Sequence, residues 1–66
     1  MSNFDPSRLA ELRKSAGMTQ RALAKAAGLS QALIAELERG KHPPSSTSLI
    51  RLAAALSVAE TAFIAK

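Results

Sequence analysis

Groups able to do acid–base or covalent chemistry are scarce in this chain of 66 residues, which has one histidine (His42), one aspartate (Asp5) and no cysteine. Asp5 precedes Pro6, a pairing that suits the start of a helix, with the carboxylate as its cap and proline at its first position. No nucleophile has a base, and no group of His, Cys, Asp or Glu has a spacing that would gather it around a metal. An enzyme, a metal and a cofactor are therefore not expected. The chemistry that remains is recognition. The net charge is +4, and between positions 12 and 35 stand Arg13, Lys14, Arg21 and Lys25 with no acid among them. A one-signed stretch of this kind attracts a polyanion, the alternative being a basic surface that is merely solvated.

The elements that must position these cations are helical. Hydrophobic residues make up 47% of the chain, too many for a disordered segment, and much of that fraction is alanine and leucine, both strong helix formers. Aromatic residues are only 3%, so a base-stacking platform for single strands has almost nothing to be built from. No apolar run approaches the roughly 18 residues of a membrane span, and the N-terminus lacks the basic-then-apolar order of a signal peptide. The expectation is a single domain over residues 1–66, cytoplasmic, with no membrane partner. Without disulfides, so short a chain draws its stability from helix packing or self-association.

Residues 1–4 read as a loose arm. A first helix should run from Pro6 to about Ala16, with Leu9, Leu12 and Ala16 as its buried stripe and Gly17 as its left-handed stop. Thr19 caps a second helix over 20–27, where Leu23, Ala24 and Ala27 face inward and Gly28 closes it. Leu29 fills the turn, and Ser30 caps a third helix over 31–39. Ile34 and Leu37 are its inward pair, leaving Gln31, Ala32, Ala35, Glu36 and Arg39 outward, and Gly40 ends it. Two short helices joined by a tight turn, with small groups on the first turn of the second, make a surface suited to a groove of DNA. Pro43 and Pro44 keep the next stretch extended until Ser45 caps a fourth helix carrying Leu49, Leu52, Ala53 and Leu56. After a break at Ser57 and Val58, residues 60–65 form a short fifth helix anchored by Phe63 and Ile64.

The run GMTQRALAKAAGLSQALIAELERG, followed by a loop, a Pro-Ser pair and LIRLAAALSV, resembles the helix-turn-helix domain of the phage-repressor and Cro type, the XRE family. The resemblance spans positions 8–64. It implies an all-α, five-helix lambda-repressor-like domain with the motif at helices two and three, and helix three in the major groove. The positions that touch base edges would be Gln31, Ala32, Leu33, Ala35 and Glu36. The Gln31 amide can pair with adenine N6 and N7, worth roughly 1–3 kcal/mol of discrimination, or can instead bond Gln20 or a phosphate. Leu33 either packs at the edge of the core or meets a thymine methyl. Glu36 can accept from cytosine N4 if a cation such as Arg39 or Arg21 screens it.

The resemblance gives Gln20 a phosphate role at the start of helix two, with Arg21 and Ser30 beside it. Arg39, Lys41, His42, Ser45, Ser46 and Thr47 are phosphate candidates on the other flank. His42 has no carboxylate or cysteine nearby in sequence and reads as a loop contact. In the family an arginine near the end of helix one pairs with the glutamate before the glycine that ends helix three, and Arg13 and Glu38 match those positions. Three residues depart from the pattern: Ser46 stands where a bulky apolar residue is common, Ser57 replaces a frequent glycine, and Ala59 a frequent helix cap.

Together these features imply sequence-specific binding of double-stranded DNA by a transcriptional regulator. One helix reads few base pairs, so a homodimer is expected, its two recognition helices about 34 Å apart on a near-palindromic operator. Leu56, Val58, Phe63 and Ile64 are candidates for the dimer interface, or else ordinary core. The alternative is a protein-interaction module, such as the antitoxin of a toxin–antitoxin pair, with DNA binding secondary.

Overall fold

Each helix of this protein starts on a side chain and stops on a left-handed residue, and those short-range signals set the architecture. The computed structural model describes residues 3–65, among which there are four α-helices and one 3-10 turn. Helix α1 is Pro6–Ser15, α2 is Gln20–Ala27, α3 is Gln31–Glu38 and α4 is Ser46–Leu56. The side chains of Asp5, Thr19, Ser30 and Ser45 accept from backbone N–H groups in the respective first turns. Each cap satisfies a donor that the helix itself cannot, typically worth about 1 kcal/mol.

The stops share one geometry. At the end of α2, Gly28 N–H donates to Lys25 O and Leu29 N–H to Ala24 O at 2.9 Å, with Gly28 at φ +70°. This closes the helix and turns the chain sharply into Ser30, the cap of α3. The same pair of backbone bonds closes α4, but there the left-handed residue is Ser57, at φ +56°. A side chain in that region costs roughly 1–2 kcal/mol that glycine does not incur.

The core is shared by all the elements. Leu9 of α1, Leu23 of α2, Ile34 and Leu37 of α3, Leu52 of α4 and Phe63 of the 3-10 turn are completely buried. Burial of each such side chain is worth about 1.5–3 kcal/mol. Helix α2 packs on both α3 and α4 across the small, buried Ala24, Ala27 and Ala53, and α1 packs on α3.

Four expectations need correction. The fifth helix does not form as an α-helix: Glu60–Phe63 is a single 3-10 turn, and Ala59, at the cap position before it, supplies no side-chain cap. Of the expected N-terminal arm, residues 1 and 2 lie outside the described residues, but Asn3 and Phe4 are tied down. Phe4 forms an antiparallel bridge with Ile64, Ala65 N–H donates to Asn3 O at 2.8 Å, and the Phe4 ring tilts against Phe63 with centroids 6.4 Å apart. Ala16 follows the last residue of α1 and is exposed, so the inward stripe of α1 is Leu9 with a half-buried Leu12. Finally, Leu56 and Phe63, candidates for a dimer surface, lie in the core of the single chain. Phe63 is the largest side chain available to fill the space between α1 and α4, and the 3-10 turn packs on both.

Candidate nucleic-acid interface

Helix α3 has a fixed side and an open side. The fixed side begins with Ile34 and Leu37 and ends at Glu38, whose side chain is 9% exposed against 12% for Arg13. Arg13 Nε donates to Glu38 Oε2 at 2.6 Å and Nη2 to Oε1 at 3.2 Å, while Nη1 donates to the Met18 carbonyl at 2.8 Å. Gln20 Nε2 adds a bond to Glu38 Oε1 at 3.1 Å. One guanidinium thus joins α1, the turn after it and the last turn of α3, and Gln20 brings in the first residue of α2. The planar fork suits a carboxylate far better than a flexible ammonium would. Burial, the largest single influence on Glu38, pushes its carboxyl up. The bonds from Arg13 and Gln20 and the arginine charge outweigh it, and the group stays below its ordinary value.

This knot fixes how α3 is presented. On its open side Gln31 and Ala32 are exposed, Ala35 and Glu36 are half-buried, and Leu33 is half-buried against the core. The side chain of Leu33 therefore serves the edge of the core, which leaves Gln31 as the exposed polar group of the first turn.

Among the phosphate candidates, Arg21, Ser30, Arg39, Lys41, His42, Ser45, Ser46 and Thr47 are all exposed, and Gln20 is half-buried with one amide N–H already given to Glu38. The Ser30 hydroxyl accepts from Leu33 N–H and keeps its proton to donate elsewhere. Ser45 is more committed, since its oxygen accepts from Ser48 N–H and its O–H donates to Ser48 Oγ at 3.1 Å. Among the described residues, Arg21, Lys25, Arg39 and Lys41 enter no ion pair.

His42 departs from expectation. Its Nε2 lies 3.1 Å from Glu36 Oε1 and its Nδ1 3.2 Å from the Pro43 carbonyl, so it does have a carboxylate partner, six residues back across the Gly40 turn. The bond from His42 chiefly, and then the charge of Lys41, hold the Glu36 carboxyl below its usual range, and Glu36 in turn raises the imidazole. The group at contact distance from Glu36 is the His42 ring, with the charges of Lys41 and Arg39 acting through space. Sequence reasoning also passed over Ile50, 54% exposed on α4. Its signal was present, since position 50 falls outside the inward stripe of 49, 52, 53 and 56. No helix among the described residues is long and apolar enough to cross a membrane, and no group of three or more potential ligands gathers there for a metal.

Comparison with known proteins gives this arrangement its context. The chain is 36% identical over 58 residues to an uncharacterized HTH-type transcriptional regulator from Sinorhizobium fredii, covering 88% of this chain and 75% of that one. Its fold superposes on the restriction-modification controller protein C.AhdI from Aeromonas hydrophila with a TM-score of 0.86 at 32% identity, covering 89% of both chains. It also matches the P22 c2 repressor in complex with a synthetic operator, with a TM-score of 0.84 at 29% identity and 89% coverage of each. The family described as Helix-turn-helix matches residues 9–63, a span that contains the Thr19 and Ser30 caps, the Gly28 turn and the Arg13–Glu38 pair. The chain therefore belongs to the helix-turn-helix family of Cro/C1 (XRE) type, a family of DNA-binding transcriptional regulators and not of enzymes.

Proposed function

We propose that this protein binds double-stranded DNA sequence-specifically as a homodimer on a near-palindromic operator, with α3 in the major groove, and regulates transcription there. The observation that carries this reading is the partition of α3, whose inward groups are buried or locked while Gln31 stands exposed at its start. Gln31 is the direct reader of an adenine, and Ala32, Ala35 and Glu36 line the contact. Arg21, Arg39, Lys41 and the N–H groups at the starts of α2 and α4 hold the phosphates. The P22 c2 repressor, of the same fold, is in complex with a synthetic operator, which supports operator DNA as the partner here.

The second subunit follows from reach, because one α3 spans too few base pairs to select a site. Ile50 is the exposed apolar anchor proposed for self-association, with the half-buried Val58 and Ile64 in support of it. Selection of sites from random duplexes at a stated salt concentration, followed by stoichiometry on the best site, tests the whole reading. The expected result is a two-fold related sequence holding two chains. Binding without sequence preference would overturn it.

A further inference from the structure

The Glu36–His42 pair joins the open side of α3 to the turn before α4, and the family match assigns it no role. The imidazole of His42 has an acceptor at each nitrogen: Glu36 Oε1 at 3.1 Å from Nε2 and the Pro43 carbonyl at 3.2 Å from Nδ1. A neutral imidazole carries one N–H and can satisfy only one of them, whereas the imidazolium donates to both. The geometry therefore selects the charged ring. Glu36 is one of two acids in α3, and the other, Glu38, is locked to Arg13. With His42 neutral, Glu36 presents an unpaired negative charge to the phosphate backbone. With His42 charged, the pair is neutral and the repulsion is removed.

We propose that His42 is a proton-dependent mask over Glu36, so that its imidazolium form is the form that binds DNA. This rests on the DNA-binding reading above. The charged groups that face the pair are few. Glu36 of α3 and Lys41 of the turn act on His42, and Lys41 and Arg39 act on Glu36. Asn3, Phe4 and Pro6, which share the cleft beside His42, contribute nothing titratable. The upward displacement of the His42 titration by Glu36 agrees with the hydrogen-bond geometry.

The sign follows from linkage. DNA favours the charged ring, so binding takes up a proton, and affinity rises as pH falls through the His42 titration. His42 is the one histidine and there is no cysteine, so no other side chain titrates between pH 6 and 8.5 in the ordinary course. The α-amino group is common to every variant and cancels in the comparison.

Two measurements on the full chain decide the matter. The first is an NMR titration of the His42 ring in the free protein: Glu36→Gln is expected to lower its midpoint, and an unchanged midpoint overturns the pairing. The second is the dissociation constant on the selected duplex from pH 8.5 to 6 at fixed salt. Wild type should tighten by up to about fivefold, the scale of an exposed ion pair. His42→Gln should stay at the weak level throughout, and His42→Arg should be tight at every pH. Parallel pH dependence in wild type and His42→Gln overturns the mask while leaving DNA binding in place. A normal His42 titration with no duplex binding at any pH overturns the DNA-binding reading, and the mask with it.

Discussion

Two glutamates two residues apart on α3 have opposite surroundings, and the contrast separates what holds this protein together from what it uses to bind. Glu38 is 9% exposed and receives three side-chain hydrogen bonds from Arg13 and Gln20, reaching residues 25 and 18 positions away. Glu36 is 36% exposed and receives one, from a histidine six positions on. Helical geometry puts their side chains roughly 200° apart around the axis, so one faces α1 and α2 and the other the open side. The same residue type is a structural fastener in one place and a tunable surface charge in the other. Burial and the number of donors decide which.

The largest effect is expected on the fixed side. Replacing Glu38 with alanine strands the Arg13 guanidinium in a place where water reaches it poorly, and breaking a pair of this kind costs about 3 kcal/mol. In a domain of this size that corresponds to a fall of roughly 15 °C in thermal midpoint. Arg39→Ala, one position further on and exposed, should barely move it. Equal midpoints for the two variants would break the distinction. Acid sharpens it. The Glu38 carboxyl lies below its ordinary value of 4.5 in the fold, so its contribution is present above that pH and is lost as pH falls through the depressed value. Thermal midpoints of wild type should therefore fall more steeply than those of Glu38→Gln below about pH 4.5.

An intermediate effect is expected on the open side, in binding. Gln31→Ala should relax preference at one base position per half-site by roughly 1–3 kcal/mol, read from competition with substituted duplexes. Arg21→Ala should weaken all duplexes alike and reduce the salt slope by about one. If Gln31→Ala weakened every sequence equally, Gln31 would be a phosphate contact and the open side would hold no reader in its first turn.

How much of this was legible in the sequence follows from the range of the signals. Thr19, Gly28 and Ser30 act within three or four residues, so the motif, both ends of α2 and the start of α3 could be read directly, and the structure has them there, with α3 ending at Glu38, one residue short of the expected Arg39. Arg13 and Glu38 are 25 positions apart, and nothing in periodicity joins them, so only the family resemblance paired them. Phe4 and Ile64, 60 positions apart, carry no local signal at all, and the first four residues read as an arm. The fifth helix fails for a local reason. Ala59 offers no cap, and a segment of one and a half turns cannot repay its own nucleation. His42 and Glu36 escaped because their spacing of six matches neither helical nor strand neighbours. It takes the reversal at Gly40, where Lys41 N–H returns to Glu36 O at 3.1 Å, to bring them together.

The smallest expected effect is the loss of Glu36 in the free protein. Its only side-chain partner among the described residues is the exposed His42 ring, and both groups regain water when the bond is removed. Exposed pairs of this kind add little to folding, because the attraction is weak in water and ordering both side chains costs entropy. Glu36→Gln should therefore unfold at the wild-type temperature at pH 7, by the same thermal melt that registers Glu38→Ala as a large loss. It should also differ from wild type in the DNA complex, where a phosphate backbone replaces water and an uncompensated carboxylate is repelled. A melt shifted as far as that of Glu38→Ala would mean that the turn at Gly40 depends on the His42 bond, and that both sides of α3 are parts of the frame.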